Sequence, residues 1–294
     1  MRGNWDLFLF CLPGMIITLI YHYWPIYGIQ IAFRDYKVKL GMFNSEWIGF
    51  SNFARFFRSA NAWITIRNTL ILSVYSLAAG FPIAVILALL LNSFRFKKYR
   101  KIIQTVTYAP HFISTVVMCG MLFLFLSVRT GAVNTIIRML GGEPINFMGK
   151  SSLWRHIYVW SGVWQSMGWS SVIYFAALSG VDPQLYEAAE IDGARKWKQM
   201  INITLPAITP TIVIMLILNC NNIVNAGFDQ IFMLYSALVY DVADIIDTYV
   251  YRIGIQKADY SFSTAAGMFK SIIALVMILI VNFVAKKTGN EGIW

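Results

Sequence analysis

Charge is scarce in this chain. Lys, Arg, Asp and Glu make up 13% of its 294 residues, against 58% hydrophobic residues. Soluble domains carry about 25% charged residues, and a water-soluble fold has nowhere to bury so much apolar surface. That deficit excludes an ordinary soluble domain and leaves membrane insertion. Cysteine and histidine are scarcer still, at three each. Cys11, Cys119 and Cys220 each lie within an apolar run and share no metal or redox spacing, so they read as inert core thiols. His22, His111 and His156 are too scattered to suggest a metal site. Acid is rarer than base, which leaves a net charge of +10. A nucleic-acid binder clusters its bases along an exposed groove or helix. Here they stand in short connectors between apolar runs, a placement that orients a chain in a bilayer and argues against nucleic acid as a partner.

What is present is a series of long apolar runs. Crossing the hydrocarbon core takes about 20 apolar residues in a helix. Six stretches meet or nearly meet that length, about 7–33, 69–92, 102–127, 157–180, 207–227 and 264–285. The first outruns the apolar region of a signal peptide, shows no small-residue cut and continues into Tyr23-Trp24-Pro25-Ile26-Tyr27, so it reads as a retained anchor. Pro25 and Gly28, Gly80 and Pro82, and Pro110 interrupt the first three runs. Such breaks are either packing kinks or places where freed backbone groups face a watery cavity. With both termini inside, the inner segments hold 11 basic residues over 51 positions, and the outer connectors 12 over 100. The strongest orienting signal is Arg95, Lys97, Lys98, Arg100 and Lys101 in one short loop. Among the outer connectors, residues 44–58 are rich in aromatics and are expected to lie at the interface as an amphipathic segment. The expected fold is an all-α membrane protein with six transmembrane helices and cytoplasmic termini, forming one transmembrane domain over 1–294.

The connector after the fourth run has its own local logic. Asp182 suits an N-cap and Pro183 the first helical position, Ala188 and Ala189 sit mid-helix, and Gly193 can end or bend the helix. A second short helix is expected next, with Pro206 opening the fifth span. From Asp182 to Ala194 there are four acids, Asp182, Glu187, Glu190 and Asp192, and no base. A helix lying on an anionic inner leaflet is basic on its polar face. An acidic one therefore projects away from lipid, either as a plain connector or as an insert for a groove on a cytoplasmic protein.

Glu187-Ala188-Ala189-Glu190-Ile191-Asp192-Gly193-Ala194, followed by Ile203-Thr204-Leu205-Pro206, resembles the EAA loop of bacterial ABC importer permeases, the binding-protein-dependent family of the maltose transporter. In that family the loop is a coupling helix, about 183–194 here, seated in an ATPase subunit. The resemblance assigns ATPase coupling to Glu187, Ala188, Ala189, Asp192, Gly193, Ala194, Leu205 and Pro206. Tyr23-Trp24-Pro25-Ile26-Tyr27-Gly28, Trp47-Ile48-Gly49-Phe50-Ser51-Asn52-Phe53, Tyr108-Ala109-Pro110-His111-Phe112-Ile113-Ser114 and Gly227-Phe228-Asp229-Gln230-Ile231 resemble its branch for multiple sugars, oligosaccharides and polysaccharide fragments. The resemblance implies a second homologous permease subunit, two cytoplasmic ATPase subunits carrying ATP and Mg, and an extracellular or periplasmic sugar-binding protein. It implies no cofactor in this chain, an oligosaccharide substrate, and residence among the lipids of the bacterial cytoplasmic (inner) membrane.

Sugar recognition needs hydroxyl partners and flat apolar faces. Three places supply them: Tyr108 and His111 beside Pro110; Gln165, Ser166 and Trp169 with Trp160 and Trp164 nearby; and Asn219, Asn221, Asn222 and Asn225. The expected substrate pathway is Tyr108, His111, Gln165, Trp169, Asn219 and Asn222, with interhelical hydrogen bonding as the competing role of each polar side chain. Gly149-Lys150-Ser151 is no phosphate loop, because Pro144 stands where its first glycine belongs. Asp241, Asp244 and Asp247 read as a solvated acidic loop rather than a cation site. Two alternatives stay open. One is a permease of the same superfamily for another small solute, which Lys270 as a midplane cation would favour. The other is an intramembrane enzyme, for which no catalytic pair stands in register.

Overall fold

A computed structural model describes residues 5–94, 96–220 and 226–287, and the chain is helical almost throughout. Among the described residues, four helices are long and apolar enough to cross a membrane: Phe8–Phe33, Ala60–Ser93, Lys196–Asn219 and Tyr260–Phe283. A fifth crossing exists if Lys97–Phe112 and Thr115–Leu126, bent by 98° at their junction, form one span. Packing divides the chain into two units, the chain up to Trp63 with Ile246–Ser271, and Ile64–Ile245 with the residues from Ile272 onward.

In the first unit, α1 (Trp5–Thr18) runs on through a π turn and the 3-10 stretch Trp24–Phe33. Its side chains are exposed from Phe8 through Tyr27, as expected of a helix solvated by lipid rather than by its own chain. The aromatic segment 44–58 is part of a hairpin followed by a helix. Strand β1 (Arg34–Asp35) pairs antiparallel with β2 (Glu46–Trp47), and α2 (Ser51–Arg58) follows. Buried Asn52 organises this hairpin by donating to the carbonyls of Ala32 at 2.9 Å and Arg34 at 3.1 Å. Phe33 stacks on Trp47 with centroids 5.5 Å apart, so the Trp47–Phe53 motif serves to cap the end of the first helix. Phe56 is fully buried among Tyr249, Phe262 and Phe269.

The acidic loop is not solvated as expected. Asp244 is buried, and residues 242–249 are buried apart from the half-buried Asp247. Within the first unit Asp247 receives both its hydrogen bonds from Lys270 Nζ, at 2.7 Å each. A carboxylate and an ammonium removed from water each cost several kcal/mol unless paired, so the two residues explain each other.

The second unit is organised around α6 (Ser151–Ser179), preceded by α3 (Ala60–Ser93), α4 (Lys97–Tyr108) and α5 (Thr115–Leu126). Trp154, Tyr158, Val163 and Tyr174 are among the nine residues that α6 buries. Trp154 joins Leu72, Met118, Ile231 and Leu234 in the core and donates its indole N–H to the Leu234 carbonyl at 3.1 Å. Asn68 on α3 donates to the carbonyls of Asp241 and Asp244, both at 3.1 Å, and accepts from Arg155. Two further expectations change here. Pro82 lies inside an unbroken 34-residue helix. The helix of the fifth run begins at Lys196, ahead of Pro206, with a π turn at Met200–Thr204 just before the proline. A widened turn is one way a helix absorbs the carbonyl left unpaired by a missing N–H.

Candidate functional site

The helix α7 (Pro183–Ile191) is capped as its residues dictate. Asp182 is extended, and its carboxylate accepts the Gln184 N–H at 2.9 Å, which satisfies one of the four open donors of the first turn. At the other end Ala194 N–H donates to Ala189 O at 2.8 Å and Gly193 N–H to Glu190 O at 3.0 Å. This is the paired closure that needs a left-handed residue, and Gly193 supplies it at φ +74°. A Cβ on Gly193 would meet nothing within 4 Å, so the glycine serves backbone conformation alone. Among the described residues, two side-chain hydrogen bonds tether the helix and the turn after it. Tyr186 Oη lies 3.1 Å from Thr204 Oγ1, and Gln199 Nε2 donates to Ala194 O at 3.1 Å. Glu187, Ala188, Glu190 and Asp192 are exposed, and so are Leu185 and Ile191, the latter at 87%. Leu205 and Pro206 are also exposed.

The second site is a cavity of about 680 Å³ in the second unit. Ser73, Ser76, Gly80 and Phe81 line it from α3, and Tyr158, Ser166, Trp169, Ser170 and Tyr174 from α6. Met215 and Asn219 line it from α8 (Leu205–Cys220). Among the described residues its lining includes hydroxyls, the Asn219 carboxamide and aromatic rings, and no charged side chain. Of the expected pathway residues, Trp169 and Asn219 lie on this lining. Asn219 donates to the Met215 carbonyl of its own helix at 2.7 Å. Asn222, with Asn221 and Asn225, lies outside the described residues.

Tyr108, His111 and Gln165 are off the lining and belong to the elbow beside it. The chain leaves α4 at Tyr108, passes through a 3-10 turn at Ala109–Phe112 and re-enters a helix at Thr115, with Ser114 as N-cap. Gln165 Nε2 donates to the Ile113 carbonyl at 2.7 Å, so α6 satisfies an acceptor that the broken helix leaves open. Gly168 brings α6 against α4 backbone, where a Cβ would stand 2.0 Å from Thr107 O. His111 lies flat on Trp169, with centroids 4.7 Å apart and planes 1° apart, while Phe112 meets the same indole edge-on at 5.9 Å. Such a pair is worth about 0.5–1.5 kcal/mol beyond area burial.

Sequence reasoning missed Gly168 and three of the lining serines, Ser73, Ser76 and Ser170, though it singled out Ser166. Ser73, Ser76 and Ser170 stand at spacings that any helix face can carry, so nothing local distinguishes them. Gly168 had the signal of a glycine in mid-helix, where it costs about 1 kcal/mol relative to alanine unless close packing needs it.

Several helices apolar enough to cross a membrane, a sharply broken pair and a cavity with no charged side chain among its described residues fit a multi-pass transport protein. The comparisons make this specific. Residues 80–289 match the family described as "Binding-protein-dependent transport system inner membrane component". The chain is 43% identical over 288 residues to the polygalacturonan/rhamnogalacturonan transport system permease protein YteP of Bacillus subtilis (strain 168), covering 98% of this chain and 90% of the relative. It is 42% identical over 293 residues to the protein LplB of the same organism, covering 100% and 92%. A chain in the crystal structure of a bacterial alginate ABC transporter, in complex with an alginate pentasaccharide-bound periplasmic protein, matches with TM-score 0.92 and 39% identity over 99% of this chain and 98% of that one. The protein belongs to the binding-protein-dependent transport family, as a permease subunit of an ABC importer.

Proposed function

We propose that this permease carries oligosaccharides or polysaccharide fragments delivered by an extracellular or periplasmic solute-binding protein. One observation carries the cargo reading: among the described residues the cavity presents hydroxyls, an amide and ring faces and no charged side chain. Those groups pair with sugar hydroxyls and pack on sugar ring faces. Lys270, the cation that would favour another small solute, is engaged by Asp247. The names of the relatives support the same reading, since one transports polygalacturonan and rhamnogalacturonan and a matching structure transports alginate.

On this reading residues 1–294 form one permease domain that crosses the bacterial cytoplasmic (inner) membrane six times, with both termini cytoplasmic. The bent pair is the third crossing and α6 the fourth. At 29 residues α6 is about 43 Å long, enough to span. Its serines, tyrosines and Gln165 dilute its apolar character, which a helix packed inside protein tolerates. The helix α7 is the cytoplasmic coupling helix, inserted through Glu187, Ala188, Ala189, Asp192, Gly193 and Ala194 into a groove of an ATPase subunit, with Leu205 and Pro206 at its base. Two such subunits hold ATP and Mg, and a second permease chain completes the pathway. Energy enters through their differential affinity for inward- and outward-facing states, not through chemistry in this chain.

The test is ATP hydrolysis by the whole complex in lipid nanodiscs, driven by saccharide-loaded binding protein. Trp169→Ala or Asn219→Ala is expected to weaken stimulation while both permeases and the ATPase still copurify. Stimulation by amino acids, with none by any saccharide, would sink the cargo reading.

A further inference from the structure

Trp169 lines the cavity, and an imidazole that is itself off that lining lies flat on its indole. The stack is nearly parallel, 1° between planes with centroids 4.7 Å apart. His111 stands on the four-residue 3-10 turn at Ala109–Phe112, immediately before the 98° bend. The two neighbours of that turn are held in place. Gln165 fastens the Ile113 carbonyl at 2.7 Å, and Gly168 lets α6 close on the Thr107 carbonyl. His111 itself is held differently. Among the described residues its side chain makes ring contacts with Trp169 and Phe112 and no hydrogen bond, and it is exposed.

We propose that His111 is a removable cover on Trp169, and that cargo enters by exchanging the imidazole for a sugar ring on the same indole face. The inference rests on the saccharide reading of the cavity. The elbow backbone stays clamped, so the exchange needs only a rotation of one side chain about χ1, a motion of picoseconds to nanoseconds for exposed residues. One stack is traded for another of the same kind. Occupancy of the platform is then decided by the saccharide rather than by rearrangement of the fold. A solute without a flat apolar face cannot make the trade, which makes His111 a residue that sets specificity.

A double-mutant cycle on the complete complex in nanodiscs tests the idea, with pentasaccharides of galacturonate, guluronate and arabinose as probes loaded on the binding protein. The readout is the half-saturating concentration for stimulated ATP hydrolysis, with copurification of all subunits as the folding control. Removing the competitor in His111→Ala is expected to lower that concentration about threefold to tenfold, the range one ring stack represents. His111→Phe, which keeps a stacking ring, is expected to stay near wild type. Trp169→Ala is expected to raise it, and in that background His111→Ala is expected to have no further effect. An increase in His111→Ala alone overturns the proposal and makes His111 a cargo contact. Persistence of its effect without Trp169 overturns it equally. If wild type responds to no saccharide, the cargo reading fails first and this inference falls with it.

Discussion

The projecting helix α7 and the elbow at residues 108–114 are both interruptions between long helices, yet they are stabilised in opposite ways. The first is closed by its own sequence: Asp182 caps one end, Gly193 the other, and the hydrogen bonds that matter reach two to five residues. The second is held from outside, because its open carbonyl at Ile113 is satisfied by Gln165, 52 residues away. Two glycines show the contrast. Gly193 has open space around its missing Cβ and a left-handed backbone, whereas Gly168 is helical and an added Cβ there would run into the Thr107 carbonyl. A helix closed by its own residues can be locally complete and otherwise exposed. A bend that leaves a backbone carbonyl open needs a neighbour to complete it.

That contrast can be broken experimentally, starting with the largest effect. Gly168→Ala places a methyl group inside the van der Waals envelope of Thr107 O, and separating α6 from α4 is expected to cost about 3 kcal/mol. The check is the yield of monodisperse complex after detergent extraction, which should collapse. Gln165→Leu leaves the Ile113 carbonyl unpartnered, an expected loss of about 1–3 kcal/mol read as a lower thermal midpoint of the purified complex. If the midpoint is unchanged, the elbow does not depend on α6.

The coupling region should respond less in stability and more in assembly. Gly193→Ala forces an alanine to φ +74° at a cost of about 1 kcal/mol, confined to the end of α7. The expected result is an intact permease pair with reduced ATPase copurification. Gly193→Asn should do less harm, because asparagine tolerates that conformation. Smallest of all, Asp182→Ala removes one cap worth about 1 kcal/mol in an exposed helix. Faster amide exchange at Gln184 would report it, with little change in the thermal midpoint. If the coupling glycine destabilised the whole complex as strongly as Gly168→Ala, the distinction drawn between the two regions would be wrong.

How much could be read in advance follows the same division. Asp182, Pro183 and Gly193 were legible to the residue, because capping is a matter of immediate neighbours. Trp169 and Asn219 were legible as polar-aromatic groups in apolar runs, but which of their companions shared a cavity was not. Pro110 signalled a break, yet the bend falls three residues later, where Gln165 supplies a donor. Pro82 signalled one too, and α3 runs through it. The aspartates were misread because a cluster of acids carries no local sign of what it meets. Asn68 binds the backbone carbonyls of Asp241 and Asp244, Ser151 donates to the Asp241 carboxylate at 2.8 Å, and Lys270 takes Asp247.

By itself, the sequence determined the solvent, the number of apolar runs, the capped acidic helix and the scarcity of charge in the runs. Each of these depends only on composition or on residues a few positions apart. Only the tertiary structure decided where the broken helix bends, which hydroxyls face the cavity, that Lys270 and Asp247 cancel, and that His111 lies on Trp169. Those outcomes depend on groups brought together from separate helices, whose rotation about their own axes no local pattern specifies.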